Sequence, residues 1–251
     1  MMKQLENKVA VVTGGGSGIG AATARLYAAE GAKVVVSDIH EESCKKIVQE
    51  ITASGGQAYA VTTDVSDPQQ CEALVAATIQ QYHQLDIAFN NAGIGGESNA
   101  VADMSIEGWN KVIAVNLNSI FYCMKYEIQA MLPRGGNIVN MSSILGQVGF
   151  ANAAGYVAAK HGVVGLSQTA AIEYAAHGIR INAVGPGFID TPLLNAAGMD
   201  DKVKQQIATL HPIGRLGKAA EVAELVLWLS TEKASFVNGA YYAVDGAYLS
   251  R

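Results

Sequence analysis

Cysteine is scarce in this chain: Cys44, Cys71 and Cys123 are odd in number, far apart and without a C-x-x-C spacing. Neither a disulfide framework nor a cysteine-bound zinc is indicated, and a reducing compartment fits. The five histidines show no metal-ligand spacing, so no metal is expected. Positive charge is also sparse, with a formal net charge of -5 and no basic run longer than Lys45-Lys46. That argues against a nucleic-acid or anionic-membrane partner. No apolar run approaches the roughly 18 residues of a membrane span, and the N-terminal MMKQLENK lacks the apolar segment of a signal peptide. The expectation is a cytoplasmic protein whose partners are small molecules and copies of itself.

What is present is apolar and small, with 50% hydrophobic residues, 16% charged ones and 27 glycines in 251 positions. Such a chain suits one α/β domain, 1–251, with a sizeable core. Residues 9–12 are a short apolar run that enters Gly14-Gly15-Gly16-Ser17-Gly18-Ile19-Gly20 ahead of a helical stretch, 21–30. Strand, glycine turn and helix in that order suit a pyrophosphate. Glycine lets backbone amides approach it, and the helix N-terminus supplies partial positive charge. A second strand, 33–37, ends at Asp38, at the spacing of an acid that accepts hydrogen bonds from an adenosine ribose. A 2′-phosphate about 5 Å from that carboxylate would be repelled by about 3 kcal/mol at an effective dielectric of about 20. No arginine lies in the glycine loop, so NAD is favoured over NADP. Capping the helix that starts near Glu41 is a second, compatible job for Asp38.

Strands at 58–62 and 85–90 alternate with covering helices at 42–53 and 68–82. Asp64, ahead of Val65 in the turn to Pro68, stands where it can reach an adenine, though turn chemistry explains it equally well. Asn90-Asn91-Ala92-Gly93 closes the fourth strand with amides and small residues against which a cofactor can lie flat. Ser105 caps a long helical region, 106–132, which Pro133 stops. Asn116 lies within it among Val112, Ile113, Val115, Leu117 and Ile120, where a buried amide must find partners, structural or otherwise. A helix at 156–176, a strand at 180–184, a helix at 219–229 and a strand at 240–244 continue the alternation. The pattern predicts a Rossmann-type doubly wound parallel sheet of about seven strands with helices on both faces. Residues 188–211 are expected to cover the ligand edge as a mobile lid.

Ile138, Val139 and Met141 end a buried strand, and Ser142 and Ser143 follow at the carboxyl edge, where open parallel sheets place their ligands. Tyr156 and Lys160 share one helix face four residues apart. A phenol titrates near pH ~10, so a tyrosine exchanging protons near neutrality needs its anion stabilised by about 4 kcal/mol. A cation one turn away is a direct source of part of that. An idle tyrosine–lysine pair on a surface helix would look the same in isolation.

Together these residues make the sequence resemble the single-domain branch of the short-chain dehydrogenase/reductase family over nearly its whole length. Thr13-Gly14-x-x-x-Gly18-x-Gly20 resembles the family's cofactor loop, Asn90-Asn91-Ala92-Gly93 its sheet-stabilising turn, and Tyr156-x-x-x-Lys160 its active-site pair. The resemblance makes Ser143, followed by Gly146, the catalytic serine rather than Ser142. It makes Asn116 the asparagine that completes a tetrad and holds a water. Pro186-Gly187, with Ile189 and Thr191, resembles the nicotinamide-side turn, and Tyr156 and Lys160 would also border the cofactor. Gly185 departs from the Ala, Cys or Ser more frequent there, and Asn238 from a common Thr. The activity implied is NAD-dependent interconversion of a secondary alcohol and a ketone by a homotetramer. A cofactor-binding sensor without turnover, and a lyase or epimerase holding its NAD, are the other readings. Phe150, Phe188, Leu193, Leu194 and Met199 suggest an apolar mouth, suited to a hydrophobic ketone more than a sugar.

Overall fold

In the computed structural model, which describes residues 3–196 and 200–250, seven parallel strands form one sheet. They are β1 (Val9–Thr13), β2 (Lys33–Asp38), β3 (Gln57–Thr62), β4 (Ile87–Asn90), β5 (Gly136–Met141), β6 (Ile179–Pro186) and, after a short pair β7 (Ile189–Asp190) and β8 (Gly217–Lys218), β9 (Tyr241–Val244). The order across the sheet is β3-β2-β1-β4-β5-β6-β9. Strand order therefore reverses between β1 and β4, and a crevice opens at the carboxyl ends of the strands there.

Side-chain alternation divides the core into two apolar layers. Ala10, Val12, Val34, Val36 and Val139 face one layer, shared with Tyr27, Ile47 and Val226 from α1 (Gly18–Ala29), α2 (Glu41–Ala53) and, from the far end of the chain, the helix at Ala219–Leu229. Val11, Val35, Ile138 and Ile181 face the other. That layer is completed by Leu74 of α3 (Pro68–Tyr82), Ile120 and Met124 of the helix at Ser119–Met131, and Val163 of the helix at Ala154–Tyr174. Asp67 starts α3 by accepting from Gln69 and Gln70 amides, with Pro68 in the first turn, where its missing N–H costs nothing.

The long helix expected at 106–132 is interrupted. It runs as α4 (Ile106–Ile113), a π turn at Ala114–Asn118 and α5 (Ser119–Met131). Later helices are α6 (Ala154–Tyr174), α7 (Pro192–Ala196), α8 (Asp201–Ala208) and α9 (Ala219–Leu229). α1 begins at Gly18 rather than 21 and β6 runs on to Pro186, so both reach further toward the crevice than their apolar residues foretell. No helix among the described residues is long and apolar enough to cross a membrane.

A buried polar ladder links the sheet to α5 and α6. Asn90 Nδ2 donates to Glu127 Oε2 at 2.9 Å and to Asn140 Oδ1 at 3.0 Å, and Asn140 Nδ2 donates to Ser167 Oγ at 2.9 Å. Glu127 is fully buried, and its Oε1 and the Asn90 Oδ1 have no partner. Burial pushes the Glu127 carboxyl up to about 7, and the Asn90 bond opposes this only in part.

Candidate active site

Two connected spaces occupy the crevice. The larger, about 1060 Å³, is a groove lined by Gly14, Ser17, Gly18, Ile19, Asp38, Asp64, Val65, Asn91, Ala92, Gly93 and Thr191, all expected cofactor residues. The smaller, about 330 Å³, holds Ser143, Tyr156 and Lys160 together with Pro186, Gly187 and Ile189. Ile19, Asn91, Gly93, Thr191 and Leu193 line both, so a ligand filling the groove forms a wall of the chamber.

The groove's floor is a set of strand ends stitched together. Thr13 Oγ1 accepts from the backbone amides of Asn91 and Ala92 at 3.0 and 3.2 Å, while Asn91 Nδ2 donates to the carbonyls of Thr13 and Gly14 at 2.9 and 3.2 Å. Gly20 lines neither space. A β-carbon there would run into the Gly14 carbonyl and lie 2.7 Å from Asn91 Nδ2, so its role is close packing of α1 on the loop. Ser17, ahead of α1, makes no side-chain cap bond, which leaves its hydroxyl and the first α1 amides facing the groove.

Asp38 accepts from the Gly16 amide through Oδ2 and from the His40 amide through Oδ1, each at 3.1 Å. It does not cap α2, whose N-cap is His40. Its carboxylate is fixed at the groove wall instead. Asp64 Oδ1 accepts from the amide and hydroxyl of Ser66, so turn chemistry is present at a residue that also lines the groove. Thr63, beside it, carries a buried and unpartnered hydroxyl on the same wall, which the sequence did not single out. Glycines beneath backbone amides, a free hydroxyl at a helix start and a fixed carboxylate fit a dinucleotide.

In the chamber, Ser143 Oγ accepts from the Leu145 amide at 3.1 Å, and its hydroxyl is the neighbour that eases ionisation of the Tyr156 phenol. Ser142, the neighbour that local reading could not separate from it, donates to the Lys160 carbonyl at 2.9 Å and so anchors α6. Lys160 is 2% exposed, its Nζ donating to the Met141 carbonyl at 2.8 Å and lying 5.5 Å from the centre of the Tyr156 ring. Burial pulls its ammonium down to about 8. Burial likewise raises the half-buried Tyr156 phenol, and the Ser143 bond only partly opposes it. Lys160, the cation expected to lower the phenol, does not offset this burial.

Asn116 lines neither space. It is fully buried, its Oδ1 accepting from the Ile94 amide at 2.9 Å and its Nδ2 donating to the Ile94 carbonyl at 2.8 Å. The amide therefore fastens the Asn91–Gly93 turn to the π turn. It also sits close to the lysine: a β-carbon on Gly93 would lie 2.7 Å from Asn116 Oδ1 and 3.8 Å from Lys160 Nζ. His161 is exposed, with Nδ1 2.9 Å from the Val157 carbonyl, and does not line the chamber.

Leu193 and Leu194 of α7 and the rings of Phe150 and Phe188 close the chamber's mouth, whereas Met199 lies outside the described residues. Phe188 packs against His211 with ring centres 5.7 Å apart, and His211 against Tyr248 at 5.5 Å. His211 Nε2 accepts from the Phe188 amide at 3.1 Å, so Nδ1 carries the proton it donates to the Ile207 carbonyl at 3.2 Å. A neutral histidine thus ties the end of α8 to the turn after β6. Among the described residues no group of His, Cys, Asp or Glu could hold a metal ion.

A family model described as enoyl-(acyl carrier protein) reductase matches residues 14–248. Cyclohexanol dehydrogenase of Acinetobacter sp. (strain SE19) is 52% identical over 252 residues, covering 100% of this chain and 98% of that protein. Cis-4-hydroxycyclohexanecarboxylate dehydrogenase of Sinomonas cyclohexanicum is 44% identical and covers 99% of each chain. The crystal structure of levodione reductase superposes with a TM-score of 0.95 at 37% identity, over 98% of this chain and 99% of that one. The chain belongs to the short-chain dehydrogenase/reductase family and is an oxidoreductase of alcohols and ketones.

Proposed function

We propose that the chain interconverts a small, uncharged cyclic secondary alcohol and its ketone with NAD(H). The observation that carries this reading is the meeting of the Ser143 hydroxyl, the Tyr156 phenol and the Lys160 ammonium in a chamber that shares a wall with the groove. Ser143 holds the substrate oxygen, and Tyr156 gives or takes its proton. Lys160 stabilises the phenolate against the burial that disfavours it. Asn116 keeps the Ile94 backbone in place, and a water bonded beside Lys160 carries the proton to solvent. When bound, the nicotinamide supplies the hydride acceptor or donor. Asp38 favours NAD, since its carboxylate stands where a 2′-phosphate would need a cation. Residues 188–195 and 200–211 close over the chamber, the whole chain acts as one domain, and four copies assemble.

The substrate class follows from the chamber. At about 330 Å³ it is at the small end of ligand cavities. Its mouth is apolar, and its charged lining residues, among those described, are Lys160 and Glu97. The Ser105 hydroxyl and amide hold the Glu97 carboxyl below its usual range, so it remains an anion. A substrate carboxylate would meet that charge with no cation except the lysine already engaged at the reacting end. This favours a substrate like that of the cyclohexanol dehydrogenase over one like that of the hydroxycyclohexanecarboxylate enzyme. The test is nicotinamide absorbance with NAD and with NADP, using cyclohexanol, cis-4-hydroxycyclohexanecarboxylate and an open-chain secondary alcohol. Cyclohexanol with NAD should be turned over best. Absence of any absorbance change, or a preference for the carboxylate, refutes the reading. Tyr156→Phe should bind NADH and lose at least about 100-fold in turnover.

A further inference from the structure

Behind Ser143, outside the chamber, lies a contact that the reaction scheme leaves unexplained. Tyr241, at the start of β9, donates its hydroxyl to the Ser143 carbonyl at 2.9 Å. β6 runs between β9 and β5, so the phenol must cross it to reach a residue leaving β5. It passes over Gly185. A β-carbon built there would fall inside the phenol, with Tyr241 Oη, Cζ and Cε2 as its three nearest atoms. Gly185 sits in β6 with no positive φ, so space rather than backbone freedom calls for glycine. This accounts for its departure from the larger residues more frequent at that position.

The Ser143 carbonyl has two donors, the Tyr241 hydroxyl and the Gly146 amide at 2.8 Å. The amide bond is local and turns the chain. The phenol bond is the long-range one, joining residues 98 apart, and it fixes the serine's backbone relative to the sheet. Burial, reinforced by Asp245, pushes the Tyr241 phenol above its ordinary value, so it stays protonated and remains a donor throughout the working range.

We propose that Tyr241 is a positioning residue: its hydrogen bond to the Ser143 carbonyl sets where the Ser143 hydroxyl meets the substrate oxygen, and Gly185 is the gap in β6 that lets it do so. Tyr241 touches no substrate, since it lines neither space. The assignment rests on the alcohol–ketone reading above and extends it to a residue of another strand.

The test is a set of variants assayed with cyclohexanol and NAD, each checked for thermal unfolding and NADH binding. Tyr241→Phe keeps the ring and removes one hydrogen bond, so kcat should fall about 5- to 10-fold with KM and NADH affinity nearly unchanged. In a Ser143→Ala background the same change should have no further effect, which a merely space-filling tyrosine would not produce. Gly185→Ala displaces the ring and should cost more than the lost bond alone. Combined with Tyr241→Ala, which removes the obstruction, it should add nothing. Wild-type kcat in a folded Tyr241→Phe, with Ser143→Ala impaired, overturns the assignment alone. Equal cost of Gly185→Ala with and without the tyrosine ring also overturns it. A wild type idle on every substrate removes the functional reading and this assignment with it.

Discussion

Glu127 makes the fold's stability depend on pH in a direction opposite to that of most carboxylates. It is fully buried, bonded through one oxygen to Asn90, and its pKa is raised from 4.5 to about 7. A raised acid favours the folded state while protonated. Its contribution is whole below pH ~4.5, falls as pH rises because the unfolded chain releases the proton first, and is gone above pH ~7. Two and a half pH units at about 1.4 kcal/mol each amount to about 3 kcal/mol. Glu127→Gln keeps the shape and the acceptor for Asn90, cannot ionise, and offers a donor beside the unpartnered Asn90 Oδ1. Urea unfolding of both proteins at pH ~5 and pH ~8 should show the variant gaining about 2 to 3 kcal/mol on the wild type across that interval. Subtraction cancels every other titrating group. A difference that does not change between the two pH values would refute the claim that this carboxyl is held neutral by burial.

Other outcomes follow from the groove. Asp38→Asn removes the charge that opposes a 2′-phosphate, so kcat/KM with NADP should rise relative to NAD by up to about 100-fold, from a repulsion of about 3 kcal/mol. Thr13→Ala deprives the Asn91 and Ala92 amides of their acceptor. It should destabilise the protein by about 1 to 2 kcal/mol and weaken NADH binding, and Thr13→Ser should restore both. Phe121 and Ile172 are 51% and 82% exposed on α5 and α6, faces that invite self-association. Light scattering should therefore report four times the 26.2 kDa of one chain, and a monomer would remove the tetramer.

The parts of the site that were legible in the sequence are those built from local pattern. The glycine loop opens α1, Asn91 to Gly93 ends β4, and Tyr156 and Lys160 share a face of α6, each as its spacing indicated. Local reading could not choose between Ser142 and Ser143, because the choice is made by what surrounds each hydroxyl: the Lys160 carbonyl bonded by one, the chamber shared with the Tyr156 phenol for the other. The π turn was missed because apolar periodicity runs on across it and only the Asn116–Ile94 bonds reveal its use. Thr13 and Tyr241 were missed as partners for a different reason. Each completes a bond to a distant strand, and nothing beside either residue in the chain records it.

The π turn also fixes how α4 and α5 tolerate change in length. It holds one residue more than an α-helical path would, and each residue turns a helix by about 100°. Deleting a single position within 114–118 would restore regular winding while swinging α4 round by that angle relative to α5. Trp109 and Val112, now 3.6 Å from where a β-carbon on Gly155 would stand, would leave α6, and the asparagine would part from Ile94. No side chain with a chemical task need be removed for this to happen. At this place the count of residues, as much as their identity, is under constraint, and a shortened variant should fold its sheet yet fail to assemble its chamber.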